Sequence, residues 1–140
     1  MNSTQNETIR VTCAIIFEDG KVLAALRSRQ MTRSWNWEFP GGKIDNGELP
    51  EQCIIREIKE ELDVDINIDS ALTPIVHAYP EKTIELIPFL CHIHSGHLKA
   101  VEHEKVSWFK PDQLESLNWA PADTPVLKEF LSMQLSSIYR

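Results

Sequence analysis

The hydrophobic pattern changes period several times along the chain. The first seven or eight residues are polar and predict a frayed end. Val11 to Phe17 (VTCAIIF) is a β-rich apolar run, and Lys21 to Leu26 answers it after Glu18-Asp19-Gly20. The Asp-Gly between the two runs predicts a hairpin. Residues 27–36 are polar and irregular. Trp37-Glu38-Phe39 predicts a short extended segment, because Pro40 disfavours helical geometry in the residue before it. Gly41-Gly42 predicts a break in regular structure. From Pro50 to Leu62 the period becomes helical: Cys53, Ile54, Ile58 and Leu62 recur every three or four residues and can face a core. Pro50 suits a first helical turn, and Glu51 suits the positive end of the helix dipole. Strands are expected at Leu72 to Ala78, Ile84 to His94 and Val106 to Phe109. Pro111 opens a short helix, and Pro125 to Leu135 reads as the final one. Mixed strands with two main helices and no repeated βαβ unit predict one α/β or α+β layered domain over residues 8–138.

Length and charge sharpen this. The 140 residues suit a single domain, and a 42% hydrophobic content supplies a core. The formal charge of -7 excludes broad binding to duplex nucleic acid, which needs a basic footprint. A nucleotide substrate remains compatible, because a divalent metal can bring phosphates to an acidic site. Cys13, Cys53 and Cys91 are odd in number and widely spaced, which suits small apolar filler in a reducing compartment rather than a disulfide framework. MNSTQNETIR has no apolar signal segment, and no apolar run is long enough to span a membrane. A cytoplasmic location is the expectation.

The candidate chemistry lies on the first helix. Glu57, Glu60 and Glu61 are spaced to occupy adjoining parts of one helical face, opposite the apolar stripe. Their mutual repulsion can be offset partly by Arg56 and Lys59, and more fully by a divalent cation such as Mg²⁺, which prefers oxygen ligands. Gly41 and Gly42 let backbone oxygens come close to that helix. Glu48 extends the acidic surface. The same spacing also describes a solvent-facing charged helix.

The segment Gly42 to Val64 resembles the signature of the Nudix hydrolase family, G-x5-E-x7-R-E-U-x-E-E-x-G-U, where U is bulky and aliphatic. Gly42, Glu48, Arg56-Glu57-Ile58, Glu60-Glu61 and Val64 match; Asp63 replaces the last glycine. The resemblance implies an α/β/α sandwich with a mixed sheet and hydrolysis of a nucleoside diphosphate linked to another group. The chain looks like the small mutator-type (MutT-like) branch, which cleaves nucleoside triphosphates between the α and β phosphorus atoms. Water there usually attacks the β phosphorus. By this resemblance Glu57, Glu60, Glu61 and the Gly41 carbonyl hold Mg²⁺, with Mn²⁺ as a substitute. Glu57 activates water, and Arg56 orients the acids, Glu48 above all. Glu102 matches a further catalytic and metal-binding glutamate, with Glu104 in reserve and His103 structural. Asp63 is expected to end the helix at positive φ, at a cost of about 1 kcal/mol.

The base site is read from the same resemblance. Asn118 to Leu127 (NWAPADTPVL) is similar to the segment that closes the mutator-type base pocket, with Asp123 after Pro121-Ala122. Asp123 can accept from the amino group of cytosine, and alternatively cap the final helix. Trp119 can stack on a base or pack in the core. Arg27 resembles a substrate-contacting arginine, with Glu38 and Phe39 near the entrance. Lys43 touches phosphate or is a solvated loop lysine. The branch closest in pattern is CTP pyrophosphohydrolase. An 8-oxo-dGTP diphosphatase for nucleotide-pool sanitation and a non-catalytic nucleotide-binding module are the alternatives. The expected partner is a free nucleoside triphosphate, with no stable nucleic-acid or membrane partner, in a monomer or small homo-oligomer.

Overall fold

The computed structural model describes residues 7–28, 33–99 and 105–138. Its elements, in chain order, are β1 (Thr8–Glu18), β2 (Lys21–Leu26), β3 (Trp37–Glu38), β4 (Gly41–Lys43), α1 (Pro50–Leu62), β5 (Val64–Ala71), β6 (Ile75–Ala78), β7 (Thr83–Gly96), β8 (Lys105–Phe109), α2 (Pro111–Leu114) and α3 (Thr124–Ile138). A short 3-10 turn, Pro121–Asp123, precedes α3. No described helix is long and apolar enough to cross a membrane.

β1 organises the molecule. It pairs in parallel with β7 over Thr8 to Ile16, and antiparallel with β2 at its far end and with β4 on its near half. The central path of the mixed sheet runs β3-β2-β1-β7-β5. Strand residues alternate faces, so Cys13 and Ile15 join α3 residues Val126, Leu127 and Phe130 in one core. Ala14 and Ile16 join Ile54, Ile58 and Leu62 of α1 in the other. One helix per face makes the α/β/α sandwich.

Helix α1 has the bounds its period predicts. Pro50 opens it, and Gln52 Oε1 accepts the Leu49 N–H at 2.9 Å. Ile54, Ile58 and Leu62 are fully buried, each contributing about 1.5–3 kcal/mol by burial. Asp63 ends the helix in left-handed geometry (φ 60°, ψ 35°), and its N–H bonds to the Lys59 carbonyl at 3.0 Å. Its carboxylate lies 3.7 Å from Lys59 Nζ, with both side chains about half exposed, so that ion pair contributes little. Asp63→Gly is therefore expected to melt at an equal or slightly higher temperature, by up to about 3 °C. A clear fall in thermal melting by circular dichroism would show that the Lys59 pair outweighs the left-handed cost.

Three expectations change. Gly41-Gly42 does not break the structure but forms β4, with Thr12 opposite Gly42 and Cys13 opposite Gly41. The absence of side chains permits the pairing: a Cβ on Gly41 would lie 2.0 Å from the Thr12 carbonyl oxygen. Residues 72–74 are not strand, since Pro74 has no N–H for a ladder, and regular pairing starts at Ile75. Instead β5 runs from Val64 directly after the helix cap, pairing antiparallel with β7. Glu61 is not on an exposed stripe but 4% exposed. All three cysteines are free and buried.

Candidate active site

β4 and α1 are clamped together beneath the sheet edge. The buried Thr12 donates from Oγ1 to the Gly42 carbonyl at 3.2 Å and lies 3.1 Å from Cys53 Sγ on α1. Burial pushes the Cys53 thiol up, the Thr12 hydrogen bond working against it. The clamp leaves no room above Glu57: a Cβ on Gly42 would lie 2.1 Å from Glu57 Oε1. A side chain at position 42 would therefore displace the Glu57 carboxylate, the one the motif singles out.

Arg56 gathers the acids. Its Nε and Nη2 donate to Glu48 Oε2 and Oε1 at 2.7 and 2.9 Å, a two-pronged grip. Its Nη1 donates to Glu57 Oε2 at 2.8 Å and Glu60 Oε1 at 3.1 Å. Nη2 also reaches the Lys43 carbonyl at 3.2 Å. The Arg56 hydrogen bonds hold the Glu48 carboxyl down at about 2, helped by the Asp45 N–H. The same bonds, Glu48 first, raise Arg56 above its ordinary value. Glu48, Glu57 and Glu60 thus form one web through a single guanidinium.

Among the described residues no group of three or more His, Cys, Asp or Glu side chains is close enough to hold a metal ion. The donors nevertheless fit Mg²⁺ in kind. Glu57, Glu60 and Glu61 carry hard oxygen donors within little more than one helical turn, and Gly42 brings the β4 backbone against Glu57. Glu102, with His103 and Glu104, lies outside the described residues.

On the α3 face of the sheet a cavity of about 190 Å³ is lined by Arg27, Glu38, Phe39, Gly41, Gly42 and Asp123. The β3 backbone joins this wall to the C-terminal segment: Trp37 N–H bonds to the Asn118 carbonyl at 2.8 Å, and Ala120 N–H to the Trp37 carbonyl at 2.9 Å. That docking brings Asp123, 6% exposed, to Phe39, whose N–H donates to Oδ2 at 2.8 Å. The Asp123 carboxylate thus reaches across to Phe39, just after β3, instead of back onto α3. Burial pushes its pKa well up, Glu38 adds to this, and the Phe39 N–H and Arg27 oppose it. Arg27 donates from Nη1 to Glu38 Oε1 at 2.7 Å, both partly buried.

Trp119 packs against Phe39, ring centroids 4.6 Å apart and tilted 34°. It is 8% exposed and its Nε1–H is given to the Leu114 carbonyl at 2.7 Å. The ring belongs to the core behind Phe39 and does not line the cavity. The exposed Lys43 likewise faces a separate groove beside Glu48. Sequence reasoning missed Tyr79, Arg33 and Lys82, which complete the cavity wall. A Tyr-Pro-Glu-Lys turn between β6 and β7 was the available signal.

The NUDIX domain model matches residues 7–130. A CTP pyrophosphohydrolase of Escherichia coli (strain K12) is 32% identical over 126 residues, spanning 90% of this chain and 93% of the relative. An 8-oxo-dGTP diphosphatase of the same strain is 28% identical over 110 residues, 79% of this chain and 85% of the relative. Among solved structures, that of the E. coli ORF135 protein superposes with a TM-score of 0.82 at 30% identity, covering 97% of each chain. The matched length, the sandwich and the glycine-cradled acidic helix all agree, and the chain belongs to the Nudix hydrolase family.

Proposed function

We propose that this Nudix hydrolase acts on cytosine nucleotides, CTP, dCTP or their modified forms, releasing the monophosphate and pyrophosphate. Mg²⁺-dependent hydrolysis of nucleoside triphosphates is the activity that the family and the fold support in general. The cytosine preference rests on Asp123, a buried carboxylate acceptor in the cavity, and the link from that cavity to the acidic helix is the shared position of Gly41 and Gly42. They line the cavity that holds Asp123, and Gly42 also abuts Glu57. A base at Asp123 therefore directs its phosphates past the glycines towards the acidic helix.

In this reading Glu57, Glu60, Glu61 and the Gly41 carbonyl are the donors for Mg²⁺, with Glu102 as a further one. Bound there, the ion would neutralise phosphate charge and make water easier to deprotonate. Glu57 takes the proton of the water that attacks the β phosphorus. The α–β bridging oxygen leaves with the monophosphate, and the new P–O bond belongs to pyrophosphate. Arg56 holds Glu57 in place and, through Glu48, ties the loop to the helix. Phe39 covers the base, and Arg27 with Glu38 forms the side of the nucleoside site. Asp123 Oδ2 is engaged by Phe39, leaving Oδ1 to accept from a cytosine amino group.

One observation favours a second substrate. A carboxyl with a raised pKa can keep a proton and donate to the O6 of an oxidised guanine, so 8-oxo-dGTP is the competing reading. A kcat/KM panel with CTP, dCTP, 5-hydroxy-dCTP, 5-methyl-dCTP and 8-oxo-dGTP decides between them. Cytosine nucleotides are expected to lead; a strong preference for 8-oxo-dGTP would overturn the assignment.

A further inference from the structure

Asp123 can read a base only if its turn is held still, and the turn is anchored from a third element. Tyr79 directly follows β6, and its backbone closes the tight β6–β7 turn: its N–H bonds to the Lys82 carbonyl at 2.7 Å, and the Lys82 N–H returns to its carbonyl at 3.2 Å. The phenol is directed across the cavity wall. Its Oη accepts the Ala122 N–H at 3.0 Å, one residue before Asp123. Arg33 lies on its ring, Cζ 3.5 Å from the centroid, and is itself ion-paired to Glu81 in the same turn. His77 packs on the ring as well, centroids 4.5 Å apart. A phenol held between a cation, a second ring and a backbone donor has few rotamers left.

We propose that Tyr79 is a positioning residue for base selection, setting through its Ala122 hydrogen bond where the Oδ1 atom of Asp123 sits in the cavity. Three bonds then locate Asp123: Phe39 N–H on Oδ2, its own N–H on the Ala120 carbonyl at 3.0 Å, and the Tyr79–Ala122 bond just before it. The first two come from Phe39, between β3 and β4, and from the turn itself. Of these three, the Tyr79–Ala122 bond is the one that ties the turn to the β6–β7 hairpin. Burial pushes the Tyr79 phenol up, so the hydroxyl stays neutral in the working range and can serve as acceptor. The proposal rests on Asp123 as the base-reading residue.

Tyr79→Phe removes only the hydroxyl and leaves the ring under Arg33. The expected result is a change of about fivefold in the kcat/KM ratio of CTP to 8-oxo-dGTP, the worth of one hydrogen bond. The Ala122 amide should also exchange its hydrogen faster. In an Asp123→Ala background the hydroxyl should no longer alter the ratio, because nothing remains to be positioned. Should that background not fold, the single variant's ratio and amide exchange decide. A Tyr79→Phe protein that loses the same activity towards both nucleotides, or an undiminished ratio change without Asp123, would overturn the proposal. If Asp123→Ala itself leaves the ratio unchanged, the base-reading assignment has failed and takes the proposal with it.

Discussion

Glu57→Gln is expected to give a folded protein whose pyrophosphate release has fallen by about 10²–10⁴-fold, the usual contribution of a positioned general base. The amide keeps the size of the side chain and one oxygen for Arg56 Nη1, which bonds Glu57 at 2.8 Å. The web of Arg56 with Glu48 is untouched, so the melting temperature should change little. What is lost is the negative charge beside Gly42, where a Cβ would meet the carboxylate at 2.1 Å. In the proposed mechanism that charge takes the proton from water and helps Glu60 and Glu61 hold the cation, so its loss should slow turnover. Pyrophosphate release and circular dichroism on the same preparation check this. Wild-type turnover in the folded variant would remove Glu57 from the chemistry.

Asp123→Asn is expected to lower the kcat/KM ratio of cytosine nucleotides to 8-oxo-dGTP by about tenfold or more. A buried, charge-assisted hydrogen bond contributes about 1.5–3 kcal/mol. The amide still offers an oxygen to the Phe39 N–H, which bonds Oδ2 at 2.8 Å in the wild type. The amide nitrogen adds a donor that a cytosine amino group repels. Stability should move the other way. The folded-state pKa of Asp123 is raised by burial, then by Glu38. The folded state therefore holds its proton more tightly than the unfolded state does. The wild type loses stability as pH rises from the ordinary carboxylate range through that raised pKa. Asparagine has no such proton to lose. Near neutral pH the variant should melt no lower than the wild type, and its melting temperature should depend less on pH. An unchanged base ratio would show that Asp123 is not the discriminator.

The sequence shows most clearly those features that local rules dictate. Helix α1 has its start in Pro50, its core face in Ile54, Ile58 and Leu62, and its stop in Asp63, and all of these act within a few residues. β5 was harder to read, because Asp65, Asn67 and Asp69 are poor strand formers. Its buried Val64 and Ile66 pair with β7, a partner distant in sequence. β4 was hidden for a related reason. Two glycines read as a break until the close approach of Thr12 shows why a side chain is forbidden at Gly41. The acidic set was visible through its motif, but the Arg56 grip on Glu48, Glu57 and Glu60 requires side-chain positions. The cavity was half legible. Asp123, Arg27, Glu38 and Phe39 meet in it, whereas Trp119 lies behind Phe39 with its N–H given to Leu114. Tyr79 reaches Ala122 from 43 residues away, and no local pattern could show that.

Product analysis on CTP tests the central claim most directly. The protein is incubated with CTP and Mg²⁺, with and without excess EDTA, and the phosphorus-containing products are resolved by ³¹P NMR. The account predicts CMP and pyrophosphate in equal amounts with Mg²⁺, and no cleavage with EDTA. Release of CDP and inorganic phosphate, or undiminished cleavage in EDTA, would contradict it.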